Sequence, residues 1–136
     1  MVSSQPFRFA LDLKSGVPVY RQLIDQVLLA MASGTLHGGS QLPTVRQLAV
    51  DLSINPNTVV RAYKELEIRG ILTTQQGTGT FITEKKITRD DAMRQRRLTQ
   101  MVSGWVSQAG GEGFTIDEIL GILNDLAKEK KTGDRR

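Results

Sequence analysis

The sequence predicts a mainly α-helical protein that contains one small β-hairpin. Apolar residues recur in several segments at the three- and four-residue spacing of a helix face. Two short β-prone runs flank a connection that contains glycine, which is the pattern of a hairpin. The 136 residues are 39% hydrophobic and 24% charged, so the chain has the composition of a globular protein with one ordinary domain and a small appendage.

The first predicted helix covers residues 18–33. Pro18 suits the first helical turn, and Gly34 suits the C-terminal end. The residues that follow, "TLHGGSQ", favour a loop. The apolar face of the helix consists of Tyr20, Leu23, Ile24, Val27, Leu28 and Met31.

The second and third predicted helices are separated by a three-residue break. Thr44 and Gln47 fit a capping box, so the second helix is expected to begin at Thr44 and to be about two turns long. Asn55 is a favourable N-cap and Pro56 a favourable first residue for the third helix. That helix is expected to continue to about Arg69.

The hairpin follows the third helix. "ILTT" and "TFIT" are the β-prone runs, and "QQGTG" connects them. A helix, a short helix, a tight turn, a further helix and a hairpin form the outline of a winged helix-turn-helix. We expect this domain to span residues 10–83.

Two more helices are predicted after the hairpin. The first covers about residues 88–108 and is interrupted by "AGGEG". Thr115 and Glu118 form a second capping box at the start of the next helix. We expect a helical tail over residues 88–130 and a disordered, solvated end at residues 131–136.

The tail helices carry apolar stripes that neither helix can bury alone. A second copy of the chain is expected to cover these stripes, which would make the tail a dimerisation segment. The alternative is that the stripes pack against the predicted winged helix-turn-helix domain. The residues expected at the dimer interface are Leu98, Met101, Val102, Trp105, Val106, Ile119, Leu120 and Leu123.

The third helix places its polar side chains together. At about 100° per residue, Asn57, Arg61 and Lys64 lie on one side. Arginine can bind guanine through two hydrogen bonds, asparagine can bind adenine, and lysine can bind phosphate or guanine, so this face suits a major groove. The alternative is that an amphipathic helix simply exposes polar residues to solvent. The opposite, core-facing side consists of Val59, Ala62, Tyr63 and Leu66.

The stretch "GSQLPTVRQLAVDLSINPNTVVRAYKELEIRGILTTQQGTGTFI" resembles the DNA-binding domain of GntR-family bacterial transcription regulators. The resemblance covers roughly residues 10–83, and its landmarks keep their spacing over that length. "NPNTV-x-RAY", together with a short helical tail, is most similar to the YtrA-type subfamily. The landmarks are Leu42, Pro43, Arg46, Leu48, Ala49, Asn57, Thr58, Val59, Leu66, Gly70, Gly77, Gly79, Thr80 and Phe81.

The resemblance implies roles for individual residues. The arginine that matches Arg46 begins the second helix and reaches DNA, and the residues that match Asn55, Asn57 and Thr58 contact bases or phosphates. The glycine that matches Gly77 lets the wing approach the minor groove. Helix N-termini also favour phosphate. The full set expected to contact DNA is Thr44, Arg46, Asn55, Asn57, Thr58, Arg61, Lys64, Gln76, Gly77 and Thr78.

One position departs from the family pattern. Many relatives carry a base-reading arginine where this chain has Val60, and here the cation is the next residue, Arg61. Val60 could contact a thymine methyl group. The operator sequence of better-known relatives therefore does not transfer to this chain.

The composition argues against several classes of protein, namely enzymes, metal or cofactor proteins and membrane proteins. The chain has no cysteine, no cluster with metal-ligand spacing, no phosphate-binding glycine loop and no acid–base pair, so neither an enzyme nor a cofactor or metal is expected. No apolar run approaches the ~20 residues of a membrane span, and the N-terminus lacks an apolar signal region. We expect a cytoplasmic protein without membrane contact, and its net charge of +4 suits double-stranded DNA.

The function expected from these features is a sequence-specific, dimeric repressor that binds an inverted-repeat operator. The alternative is a winged-helix adaptor that binds other proteins, although adaptors rarely keep Asn, Arg and Lys together on the third helix. Most GntR-type regulators carry a larger effector domain, and we expect none within these 136 residues. An effector, if one exists, would bind between the tail helices and the DNA-binding domains, and no polar cluster in the sequence identifies it.

Overall fold

The computed structural model describes the backbone of residues 7–84 and 90–134, and the side chains of residues 7–84 and 90–128. The chain divides into two compact units between Lys85 and Lys86. We call the described part of the first unit, residues 7–84, the head, and the described part of the second, residues 90–134, the tail. The predicted domain boundaries stay predictions. None of the described helices is long and apolar enough to cross a membrane.

The head contains three helices and a three-stranded antiparallel sheet, which confirms the predicted fold class. Its elements are α1 (Val19–Ser33), β1 (Gln41–Leu42), α2 (Val45–Leu52), α3 (Pro56–Ile68), β2 (Leu72–Gln75) and β3 (Gly79–Ile82). The strand order is β1-β3-β2, so the predicted hairpin is present and β3 lies at the centre. Strand β1 was not predicted, because two residues are too few to show a strand period.

The helix ends follow the predicted capping chemistry closely. Gly34 ends α1 in the left-handed region at φ 83°. The Thr44 hydroxyl oxygen accepts the Gln47 amide at 3.1 Å, but the Gln47 side chain donates to Asp51 at 2.8 Å instead of returning to Thr44. Only half of the first capping box is therefore formed. At α3, the Asn55 side chain accepts a hydrogen bond from the backbone two residues later, as an N-cap does.

The head has one continuous apolar core. The predicted core face of α3 is confirmed, because all four of its residues are buried against α1, α2 and the sheet. Burial of this much apolar area is the main favourable contribution to folding. The core consists of Leu23, Ile24, Val27, Ala30, Leu36, Leu42, Leu48, Ala49, Val59, Ala62, Tyr63, Leu66, Leu72 and Ile82.

Residues 7–12, which we call the N-terminal arm, are attached to α1 by two glutamines one helical turn apart. Gln22 is buried; its amide accepts from the Asp12 N–H and donates to the Asp12 carbonyl, both at 2.9 Å. Gln26 makes the same pair of bonds with Ala10. The Ala10 N–H donates to the Gln26 side-chain oxygen at 2.9 Å, and the Gln26 amide nitrogen donates to the Ala10 carbonyl. Each side-chain amide thus substitutes for the peptide of a neighbouring strand.

The tail contains helices α4 (Asp91–Gly111) and α5 (Ile116–Asp134). The predicted start at Thr88 lies outside the described residues. The break was expected throughout "AGGEG", but α4 continues through both consecutive glycines, because the Glu112 N–H closes the last turn on Ala109 and Gly110. The chain reverses at Gly113 instead, with φ 92°.

Helix α5 begins with a complete capping box. The Thr115 hydroxyl accepts the Glu118 N–H at 3.2 Å, and the Glu118 carboxylate accepts the Thr115 N–H at 3.0 Å. The backbone remains helical to Asp134, so residues 131–134 are helical where a disordered end was expected, and residues 135–136 lie outside the described part. Lys128, Lys130 and Lys131, just before and at the start of this stretch, are of a residue type with high intrinsic helix propensity.

Candidate nucleic-acid interface

The turn between α2 and α3 sets the orientation of the third helix. Ser53 adopts φ 55° and ψ 49°, and it is the one non-glycine residue with positive φ within the described ranges. The Ser53 and Ile54 amides donate back to Val50 and Ala49, at 3.2 and 3.0 Å. A left-handed residue after α2 reverses the chain within three residues, so α3 begins immediately beside the end of α2.

The polar face of α3 is exposed. Asn57, Arg61 and Lys64 are all solvent-accessible, whereas Thr58 on the flank is half-buried. Val60, the position that departs from the family pattern, is 45% exposed and lies beside this face. The structure thus brings the predicted α3 residues onto one accessible surface, and their contact with DNA stays a prediction.

The first turns of α2 and α3, the two helices predicted to contact DNA, are free of acidic residues. Arg46, in the first turn of α2, is exposed. The Thr44 and Asn55 side-chain oxygens already accept hydrogen bonds from their own helices, so only their hydroxyl and amide hydrogens are available to an outside acceptor. These helix ends therefore carry the partial positive charge that binds phosphate.

Arg61 contacts an aromatic ring, and this contact was not predicted. Its Cζ lies 3.7 Å from the centroid of the Tyr20 ring on α1. Tyr20 is half-buried against the head core. The guanidinium is thus stacked on a fixed ring on one side and accessible to solvent on the other.

The wing is the turn between β2 and β3. Gly77 has φ 84°, and a Cβ there would have no heavy atom within 4 Å, so nothing but backbone conformation demands glycine. Thr78 folds back on Gln75, with its hydroxyl donating to the Gln75 carbonyl at 3.1 Å. The Gln41 side chain donates to the Thr78 carbonyl at 3.2 Å and holds the turn from β1. Gln76 at the tip is exposed.

Two further side chains fix these elements to each other, and sequence reasoning assigned neither of them this role. Glu67, near the end of α3, accepts a hydrogen bond from Thr74 of β2 at 2.6 Å. Tyr63 donates its hydroxyl hydrogen to the Pro43 carbonyl at 2.7 Å, and this bond ties α3 to the start of α2. Burial raises the pKa of the Tyr63 phenol well above its ordinary value. These contacts join residues that are distant in the sequence, so no local sequence pattern predicts them.

The tail contains the other predicted site, the dimerisation surface. None of the residues from 90 to 128 is buried, and the predicted stripe is open: Trp105 is 49% exposed and Met101 57%. A groove of about 580 Å³ runs between α4 and α5 and is lined by Trp105, Gln108, Ala109, Glu112, Phe114, Glu118, Ile119 and Ile122. Val106 and Ile119 are half-buried, and the other predicted interface residues are exposed.

Comparison with known proteins places this fold in a family. The model of the "Bacterial regulatory proteins, gntR family" matches residues 19–82. The chain is 36% identical to the uncharacterized HTH-type transcriptional regulator YhcF of Bacillus subtilis over 109 residues, 80% of this chain and 89% of the relative. It is 31% identical to the HTH-type transcriptional repressor YtrA of the same organism over 125 residues, 92% and 96% of the two chains.

A solved structure agrees with these relatives. A GntR family transcriptional regulator from Listeria monocytogenes superimposes with a TM-score of 0.57 at 30% identity, covering 83% of this chain and 98% of the other. The predicted family resemblance is thereby confirmed. The chain belongs to the GntR family of bacterial regulatory proteins, and it is a transcription regulator with a winged-helix DNA-binding domain rather than an enzyme.

Proposed function

We propose that the protein is a dimeric, sequence-specific repressor that binds an inverted-repeat DNA operator. In this proposal α3 lies in the major groove of each half-site and the wing contacts the minor groove. The observation that supports it most is the division of α3 into a fully buried apolar face and an exposed face with Asn57, Arg61 and Lys64. The repressor role is suggested by the relative named as a transcriptional repressor.

The charges near this face favour an anionic partner. Glu65 is paired with Arg69 at 3.0 Å, one turn further along α3. Glu67 accepts the Thr74 hydroxyl, and Asp51 accepts the Gln47 amide. Of these carboxylates only Glu65 is paired with a cation, whereas Glu67 and Asp51 keep their charge and are directed toward neutral donors within the head. The cations of the exposed face and the two helix N-termini are available to phosphates.

Dimerisation through the tail is the second part of the proposal. The apolar stripe of the tail is open to solvent, and nearly half of the Trp105 surface is exposed. Exposing apolar surface to water is unfavourable in free energy, and burial against the same stripe of another copy would remove that penalty. A dimer would also present two copies of α3 to the two halves of a symmetric operator. We further propose that residues 10–83 form the DNA-binding domain, that residues 88–130 form the dimerisation segment and that the protein acts in the cytoplasm.

Selection of bound duplexes from a random pool tests DNA recognition. We expect an enriched inverted repeat that the protein binds much more tightly than an unselected duplex, with affinity falling steeply as salt rises. Arg61→Ala should weaken binding to the selected duplex by about 1–3 kcal/mol without loss of helicity. Arg69→Ala is the matched control, because it removes the same charge from the far end of α3, where the side chain is paired with Glu65. Equal binding of selected and unselected duplexes would rule out specific recognition.

Light scattering tests the dimer. Introducing two aspartates in the stripe, Met101→Asp with Trp105→Asp, should give a monomer with weakened operator binding, because charges cannot be buried unpaired in an apolar interface. The control pair is Gln100→Asp with Ser107→Asp, which adds the same charge to the opposite side of α4. If the stripe variant remains a dimer, the interface lies elsewhere. If the wild-type protein selects no duplex but retains a protein partner, the adaptor function replaces the repressor.

A further inference from the structure

The stack of Arg61 on Tyr20 joins the exposed face of α3 to a helix that is not part of the helix-turn-helix pair. The Cζ-to-centroid distance of 3.7 Å is well inside the ~6 Å range over which a guanidinium is attracted to an aromatic face. Tyr20 is the second residue of α1, and α1 packs against α3. The ring is half-buried beside the head core, which fixes its position.

The position of Arg61 on α3 explains why the two side chains meet. At about 100° per residue, Arg61 lies about 40° away from Asn57, on the side that leads to Ala62. Ala62 is fully buried, with 0% of its surface exposed. Arg61 is therefore located where the exposed face adjoins α1, whereas Lys64 lies on the other side of Asn57. No aromatic contact to Lys64 is found among residues 7–84.

The stack leaves the hydrogen-bonding edge of the guanidinium available. Within the described residues Arg61 makes no ion pair, and the carboxylate one turn along, Glu65, is held by Arg69 at 3.0 Å. Ring stacking occupies a face of the planar group and not its N–H donors, which point outward in the plane. A planar fork of this kind fits two coplanar acceptors, such as guanine O6 and N7 or two phosphate oxygens.

We propose that Tyr20 is a positioning residue for DNA recognition, whose ring holds the Arg61 guanidinium in the plane and direction in which it meets a pair of acceptors on the operator. This inference rests on the proposed binding of DNA by α3 and extends its machinery to α1. A free arginine loses side-chain freedom when it binds, and stacking removes part of that loss beforehand. Lys64 has no such support and acts as a mobile point charge.

A double-mutant cycle tests the proposal on the full chain with the operator selected by the wild-type protein. Tyr20→Phe keeps the aromatic face and should leave affinity within about twofold, whereas Tyr20→Leu keeps apolar bulk but removes the face and should weaken operator binding by about 3- to 10-fold. In an Arg61→Ala background, Tyr20→Leu should cause no further loss. An equal loss in both backgrounds would overturn the proposal, since Tyr20 would then act through the fold alone.

A second measurement tests the same proposal without Tyr20→Leu, in case that variant folds poorly. Phenylalanine analogues with increasing numbers of ring fluorines, incorporated at position 20, reduce the attraction for a cation while nearly preserving ring shape. Operator affinity should fall stepwise along the series when Arg61 is present and stay flat in the Arg61→Ala background. A flat series with Arg61 present would overturn the proposal.

The acceptor on DNA is identified by comparing operators and salt concentrations. If Arg61 binds guanine, Arg61→Ala removes the preference at one base pair and barely changes the salt dependence of Kd. If it binds phosphate, the variant weakens all duplexes alike and lowers the salt slope by about 1. A wild-type protein without operator preference would refute the proposed function itself, whereas a preference that is indifferent to Tyr20 would refute this inference alone.

Discussion

The head and the tail both contain α-helices but differ in what holds those helices together. In the head, α1, α2, α3 and the sheet surround one core in which Leu23, Val27, Val59 and Leu66 are fully buried. In the tail, none of residues 90–128 is buried, although α4 and α5 are longer than any helix of the head. Helix length and capping are therefore independent of tertiary burial in this molecule.

The difference teaches where each unit obtains its stability. Burial of apolar area is the main term that offsets the loss of chain entropy, and the head supplies that burial within one copy. The tail has well-formed helix ends, including the complete Thr115–Glu118 box, but caps contribute only about 1 kcal/mol each. The described tail residues lack comparable burial, and the proposed source of it is the tail of a second copy.

The largest expected effect tests the self-sufficiency of the head. Leu66→Ala removes a side chain with 0% exposure and should destabilise the head by about 2–5 kcal/mol, because it leaves a cavity in a closed core. Denaturant unfolding followed by circular dichroism measures the loss. The control is Leu120→Ala in the tail, where the side chain is 49% exposed; the head transition should not move. A head transition that shifts with protein concentration would contradict the comparison.

The next effect tests the dependence of the tail on a partner. Trp105 is the chain's single tryptophan, so its fluorescence reports the tail alone. Dilution should shift its emission to the red as the proposed dimer separates, and Trp105→Ala should weaken dimerisation by about 2 kcal/mol, or roughly 30-fold. Sedimentation equilibrium measures the second quantity. Emission that does not change from micromolar to nanomolar protein would place Trp105 outside the interface.

Tyr63 provides a smaller effect that belongs only to the head. Tyr63→Phe removes the hydrogen bond to the Pro43 carbonyl and should cost about 1–2 kcal/mol of stability. The folded-state pKa of this phenol is raised by burial, so the folded form retains its proton where the unfolded chain has lost it. The contribution of the protonated Tyr63 phenol to the free energy of unfolding is complete below the unfolded pKa of about 10, and it is lost as pH rises above that value. Denaturant unfolding measured at several pH values from 9 to 11 should show that the free energy of unfolding falls with pH, and that it falls less in Tyr63→Phe.

The smallest effect has opposite signs in the two units. Gly77 has φ 84°, so Gly77→Ala should destabilise the head by about 1 kcal/mol through backbone strain alone. Gly104 is inside α4 with open space around its position, so Gly104→Ala should stabilise that helix by about 0.5–1 kcal/mol. Thermal melts of both variants measure the difference. A gain of stability at position 77 would mean that the wing adopts another conformation in solution.

Much of the fold could be predicted because local chemistry determines it. Thr44, Asn55 and Gly34 act at helix ends as their residue types dictate, and the buried face of α3 follows directly from helical spacing. The exposed positions of Asn57 and Lys64 follow from the same periodicity. These features depend on residues within a few positions of one another.

The remaining features depend on contacts between distant residues. Strand β1 exists because Gln41 and Leu42 pair with β3, and such pairing leaves no signal in two residues. The stack between Tyr20 and Arg61 joins side chains on two different helices. The consecutive glycines of "AGGEG" were expected to end α4, but glycine only weakens a helix, and the reversal falls where a positive φ is required.

The two glutamines that hold the N-terminal arm have a consequence for its dynamics. Residues 7–12 form no strand, yet the amides of Ala10 and Asp12 donate to the Gln26 and Gln22 side chains at 2.9 Å each. An amide proton exchanges with solvent only after its hydrogen bond opens. These two protons should therefore exchange slowly in deuterated water. Replacing either glutamine with leucine should speed the exchange of the backbone proton that it holds, since leucine has no acceptor atom.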